Sequence, residues 1–179
     1  MADSSTMTRG TTMDEVSRVT PFVEQLRPKI GEEIHVSHWF EIKQEDLDVF
    51  AKITDDWDYM HNDPEWAKTG PWGATIAHGY FLVSLVSGFM AGAGFPMVQT
   101  SDERMLNYGL DRVRFINPVL TGDRVRARLV LTEIVERRPG VNLAKVRATY
   151  ETERCGDQPH LVADVLMLVV HGDAVDEAR

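Results

Sequence analysis

Between Leu106 and Val170 the chain adopts a two-residue hydrophobic period and holds it through four stretches. Leu106, Tyr108 and Leu110 alternate; the parity then flips and Val113 and Phe115 continue, as a bulge allows. Val125, Ala127, Leu129 and Leu131 alternate with Arg126, Arg128 and Val130, and Ala144, Val146, Ala148 and Tyr150 alternate with Lys145, Arg147, Thr149 and Glu151. Leu161 to Val170 is a near-continuous apolar run, the pattern of a strand buried over most of its length. Asn117-Pro118, Thr121-Gly122-Asp123 and Arg138-Pro139-Gly140 punctuate these runs. Ahead of them, Ala77 to Ala91 is apolar or small all round. That is too long for an ordinary strand and too short for a membrane span, so it reads as one buried helix. Long antiparallel strands with helices segregated to one side define an α+β fold.

The earlier chain adds smaller elements. Met1 to Met13 is polar and patternless and is expected to be mobile. Val16, Val19, Phe22, Val23 and Leu26 recur at helical spacing around Pro21, a short helix or two on the outside of the domain. Ile34 and Val36 open a strand ending near Trp39, and Leu47, Phe50, Ala51 and Ile53 mark one face of a helix starting at Gln44. Asp63-Pro64 reads as an N-cap and first helical residue.

With 179 residues, 43% of them hydrophobic, the chain suffices for one ordinary domain. Acidic residues outnumber basic ones 28 to 19, a net charge of -9, which disfavours broad binding to nucleic acid or an anionic membrane. Cys155 is the only cysteine, which excludes a disulfide framework or multi-cysteine zinc site. The N-terminus lacks a signal peptide's apolar stretch, so a cytoplasmic protein is expected.

Chemistry concentrates in Asp55-Asp56-Trp57-Asp58-Tyr59-Met60-His61-Asn62-Asp63-Pro64. Asp56 and His61 are five residues apart, which on a helix would point them about 140° away from each other. A loop brings both onto one water, where carboxylate and imidazole form a general acid/base pair. The competing reading is a solvated acidic loop capping the helix that starts at Pro64. A cation site from Asp56, Asp58, His61 and Asp63 is a further alternative, without any paired-histidine spacing to support it. In Ile76-Ala77-His78-Gly79, the Gly79 N–H at a helix start suits an oxygen that gains negative charge; the alternative is that Gly79 serves tight packing. His78 and Ser84 read as structural hydrogen-bonding and packing residues. No G-x-S-x-G, G-x-G-x-x-G or P-loop occurs.

Together, Thr54-x-Asp56-x4-His61-x-Asp63-Pro64-Glu65, Pro71-x-Gly73-x2-Ile76-Ala77-His78-Gly79 and Val113-Arg114-Phe115-Ile116-Asn117-Pro118-Val119 resemble the MaoC-type hydratase family, closest to its NodN-like branch. The resemblance covers about Ile30 to His171. It implies a hot-dog fold, an antiparallel sheet wrapped around a long central helix. It divides the chain into an N-terminal extension, 1–28, partly mobile or helical, a hot-dog hydratase domain, 29–172, and a tail, 173–179. By that likeness Asp56 and His61 match the water-holding dyad, Gly79 the N–H that binds the thioester carbonyl, and Ser84 a supporting serine. The implied activity is reversible hydration of 2-enoyl thioesters, with coenzyme A as part of the substrate, no metal or redox cofactor, and a place in fatty acid metabolism. A hot-dog thioesterase and a non-catalytic acyl-thioester binder are the alternatives. A homodimer is expected, because a single sheet leaves an apolar edge to cover. The sequence departs from the family pattern at Asp55, where a Gly is usual, and at Asp58-Tyr59, where Asn-Pro is usual.

Overall fold

The computed structural model describes residues 22–94, 103–154, 158–171 and 174. Met1 to Met13, Cys155 and all of the tail 173–179 except Ala174 lie outside the described residues. The elements in chain order are α1 (Phe22–Leu26), a 3-10 turn (Arg27–Lys29), β1 (Glu33–Val36), β2 (Phe40–Glu41), α2 (Gln44–Thr54), α3 (Tyr59–Asn62), α4 (Pro64–Ala67), α5 (Gly79–Ser84), α6 (Val86–Ala91), β3 (Glu103–Phe115), β4 (Arg124–Arg138), β5 (Val141–Thr152) and β6 (Leu161–His171).

The six strands form one antiparallel sheet in the order β1-β4-β5-β6-β3, with β2 also paired to β4. Strand alternation decides the faces. Val125, Ala127, Leu129 and Leu131 of β4 and Ala144, Val146, Ala148 and Tyr150 of β5 are fully buried against the helices. Leu161, Ala163, Val165, Met167 and Val169 of β6 join the same core. The parity flip in β3 is present as register shifts at Asn107/Gly109 and at Asp111/Arg114, the second around Arg112, whose φ is +53°. β3 pairs with β6 and leaves Leu106, Tyr108, Leu110 and Phe115 exposed along the sheet edge. No helix among the described residues is long and apolar enough to cross a membrane.

The central helical segment differs from the expected continuous helix Ala77–Ala91 in two ways. It starts at Gly79, because the Ala77 N–H is bonded to the Val119 carbonyl at 2.8 Å and Ile76 forms a β-bridge with Leu120. It also tightens at Leu85, whose N–H reaches both Phe81 (3.3 Å) and Leu82 (3.2 Å) carbonyls, so α5 and α6 are two short helices in succession. Only one side is buried, through Phe81, Leu82, Phe89 and Met90. Tyr80, Ser84, Ser87 and Gly88 are exposed; small residues gave the opposite side its apolar character without burying it. α1 is not an outer ornament either: Val23 and Leu26 belong to the common core.

Candidate active site

Each acidic residue of the loop after α2 has a separate role. Asp55 ends α2 in the left-handed conformation, φ 60° and ψ 29°. That is where a helix C-terminus most often takes glycine, and aspartate is among the few other residues that tolerate it. Asp58 caps α3, its carboxylate accepting from the Met60 N–H at 3.0 Å. Asp63 caps α4, accepting from the Trp66 N–H at 2.9 Å, with Pro64 at the first helical position as expected. Asp56 is exposed, and among the described residues its carboxylate takes part in no hydrogen bond or ion pair.

α3 presents His61 to that carboxylate. The His61 Nδ1 lies 2.7 Å from the Ile76 carbonyl, which only accepts, so Nδ1 carries the proton and donates it. In the neutral ring this leaves Nε2 as an unprotonated acceptor. The main-chain carbonyl of His61 accepts from Gln44 Nε2 at 2.9 Å.

His78 joins the two halves of the pair. Its Nε2 donates to the Asp56 main-chain carbonyl at 3.0 Å, and its ring stacks on His61 with centroids 4.0 Å apart and planes at 28°. It is 1% exposed, and burial holds it below the ordinary histidine value despite the opposing bond to the Asp56 carbonyl. A neutral ring under His61 adds no positive charge there. His78 is bonded to the main chain of Asp56 and stacked on His61, a closer relation to the dyad than spacing revealed.

One ligand atom each from Asp56, His61 and His78 lies within 4.8 Å of the others. One water within hydrogen-bond reach of both Asp56 and His61 fits that separation. For a cation, the same three atoms would be the candidate ligands. Asp58 and Asp63, the other candidate ligands, spend a carboxylate oxygen on helix caps.

Gly79 follows His78 as the first residue of α5, and no side chain caps this helix start. A Cβ on Gly79 would lie 2.9 Å from the ring of Phe115, so tight packing alone also calls for glycine. Ser84 sits farther along; its hydroxyl donates to the Phe81 carbonyl at 2.6 Å. It lines a groove of about 330 Å³ between α5–α6 and the β3 edge, with Val83, Ser87, Tyr108, Leu110 and Val165. None of its described contacts reaches Asp56 or His61.

Residues 25–154 match the MaoC like domain model. The chain belongs to the MaoC-like dehydratase family. It is 40% identical over 143 residues to nodulation protein N of Rhizobium leguminosarum, covering 79% of this chain and 86% of that protein. It is 36% identical over 149 residues to 3-hydroxyacyl-thioester dehydratase Z of Mycobacterium tuberculosis, covering 83% and 95%. The structure of an (R)-hydratase from A. caviae involved in PHA biosynthesis superimposes with a TM-score of 0.62 at 23% identity, over 77% of this chain and 94% of that one. The hot-dog fold is shared with that MaoC-like structure.

Proposed function

We propose that this MaoC-like domain is a hydro-lyase that adds water reversibly to a 2-enoyl thioester, giving a 3-hydroxyacyl thioester, with coenzyme A as the carrier. The observation that carries the reading is the Asp56 carboxylate, free of structural duty and within 4.8 Å of a His61 nitrogen. The water donates one hydrogen bond to Asp56 and the other to Nε2 of His61. As its oxygen attacks the β-carbon, Asp56 takes the proton, and negative charge moves onto the thioester oxygen. The Gly79 N–H receives that charge, an interaction typically worth a few kcal/mol. A proton returned from the dyad to the α-carbon completes the addition of one water and leaves Asp56 and His61 as they began. This chemistry draws on no metal or redox cofactor.

The names of the dehydratase and hydratase relatives support the reaction class. The experiment is incubation of the purified protein with a trans-2-enoyl-CoA. Loss of the conjugated enoyl absorbance without free thiol is expected; thiol release would make the protein a thioesterase, and an unchanged substrate a binder. Gly79→Pro removes the N–H and should lower turnover by about 10²–10³-fold, the usual worth of one such donor. Gly79→Ala keeps the donor but pushes on Phe115, so its loss should stay below about tenfold. The exposed apolar β3 edge supports pairing with a second copy. Light scattering should therefore give about twice the 20.2 kDa chain mass.

A further inference from the structure

His61 is held at two points, and both lead to the same short segment. Its ring donates to the carbonyl of Ile76, and its main-chain carbonyl is held by Gln44, whose Oε1 in turn accepts from the hydroxyl of Thr75 at 2.7 Å. Gln44 opens α2, seventeen residues before His61. Its Nε2 also donates to Asp48 Oδ1 at 3.0 Å, and Asp48 accepts from the Asn62 side chain at 2.8 Å.

The direction of the chain is fixed by its ends. Nε2 faces a carbonyl and a carboxylate, which only accept, so the amide has one orientation. Thr75 must then spend its proton on Gln44 Oε1. The Thr121 hydroxyl, 2.6 Å from Thr75 Oγ1, must donate to Thr75. Thr75 is 2% exposed, so each of these bonds lies where an unmet partner is costly. The frame behind it is rigid, with the Thr121 N–H on the Thr75 carbonyl at 2.9 Å and the Ile76 N–H on the Met60 carbonyl at 2.9 Å. Meanwhile α2 is anchored in the core by Leu47 and Ala51, both fully buried. Its packing does not rest on Gln44.

We infer that Gln44 is a positioning residue: with Thr75 and Thr121 it sets where Nε2 of His61 stands relative to Asp56, and acts on the reaction through His61 alone. The inference rests on the dehydratase reading for its kinetic consequence but not for its structural one. Turnover is sensitive to such placement, since a shift of about 1 Å costs on the order of 100-fold.

The test combines nitrogen NMR of the histidines with kinetics on a trans-2-enoyl-CoA. In the ¹⁵N-labelled wild type, His61 should show the Nδ1–H tautomer. Gln44→Ala and Thr75→Val should each mix the tautomers or shift the His61 ring nitrogen signals, and lower kcat about 10- to 100-fold with KM within about twofold. Thr75→Ser keeps the hydroxyl and should restore both signals and rate. The double variant Gln44→Ala/Thr75→Val should be no worse than either single change, because both cut one chain. If Gln44→Ala does not fold, Gln44→Glu keeps the volume and replaces the donor end with an acceptor facing two acceptors. His61 signals and kcat unchanged in the folded Gln44 variant, or a kcat loss that Thr75→Ser shares, would overturn the inference. Altered His61 signals in a protein whose wild type is inert toward the enoyl thioester would uphold the placement of His61 and overturn the dehydratase reading.

Discussion

The acids of the sheet and the acids of the loop after α2 are treated in opposite ways. Three buried carboxylates around the sheet are clamped by arginine. Asp123 accepts two bonds from Arg154, both 2.8 Å, and one from the Leu120 N–H. Glu151 accepts from Arg126 at 2.6 Å and Arg128 at 3.0 Å, and Asp164 from Arg147 at 2.9 Å. In the loop there is no arginine clamp among the described residues; Asp58 and Asp63 cap helices, and Asp56 is left over. A carboxylate clamped by a charged partner is committed to the fold, whereas one without is available to a water. Burying a charge demands a partner, and exposing it removes the demand.

The comparison breaks first if the loop acid does not carry the chemistry. Asp56→Asn should slow hydration by about 10²–10⁴-fold while leaving the melting temperature in place, and His61→Gln should match it. The double variant should be far from additive, because both act on one water. A slow but undiminished melting protein fits; an active Asp56→Asn enzyme sinks the dyad.

On the sheet side the order reverses. Asp123→Ala takes the buried acceptor away from the exposed Arg154 guanidinium and from the Leu120 N–H, and should cost about 1 kcal/mol of stability with kcat per folded molecule unchanged. The pH dependence follows. Burial pushes the Asp123 and Glu151 carboxyls up, but their arginine bonds more than offset it and hold both below the usual carboxylate range. The unfolded chain therefore binds protons more readily, so their stabilisation is complete above the ordinary values of 3.8 and 4.5 and is lost as pH falls through the folded ones. Urea midpoints measured from neutral pH downward should fall, and fall less steeply in Asp123→Ala.

Asp58 sharpens the contrast within the loop. Asparagine caps a helix as well as aspartate, so Asp58→Asn should change turnover less than about threefold. Asp58→Ala removes the cap of the turn that carries His61 and should cost about 1 kcal/mol, read by urea denaturation, with a measurable loss of rate. The smallest effect belongs to Asp55→Gly. Relief of the left-handed strain at the end of α2 should stabilise the protein by about 0.5 kcal/mol without changing kcat, again measured by denaturation.

Much of the fold was legible. The buried sides of β4 and β5 are the residues their alternation named, because antiparallel pairing leaves the period of two intact. The bulges in β3 and the cap at Asp63-Pro64 were readable for the same reason, being local. The central helix misled because small residues look apolar in a pattern whether they face a core or a groove. Ser84, Ser87 and Gly88 face outward. Its first two residues were lost to a bridge with Leu120 and a bond to Val119, more than forty positions away. In the loop, spacing allowed Asp56 and His61 to meet but did not separate Asp56 from three neighbouring aspartates. That separation appears only when each of the others is seen at a helix end.

The sequence by itself determined the sheet, its faces, the helix caps and a short list of chemical residues. Each follows from interactions within a few residues or from a repeated period. The tertiary structure decided the tautomer of His61, the stacking of His78 beneath it, and the grip of Gln44 and Thr75 behind it. Those contacts join residues 15 to 46 positions apart. Hydrogen-bond partners at such separations are chosen by how the core packs the segments together, and no local pattern in the chain records that choice.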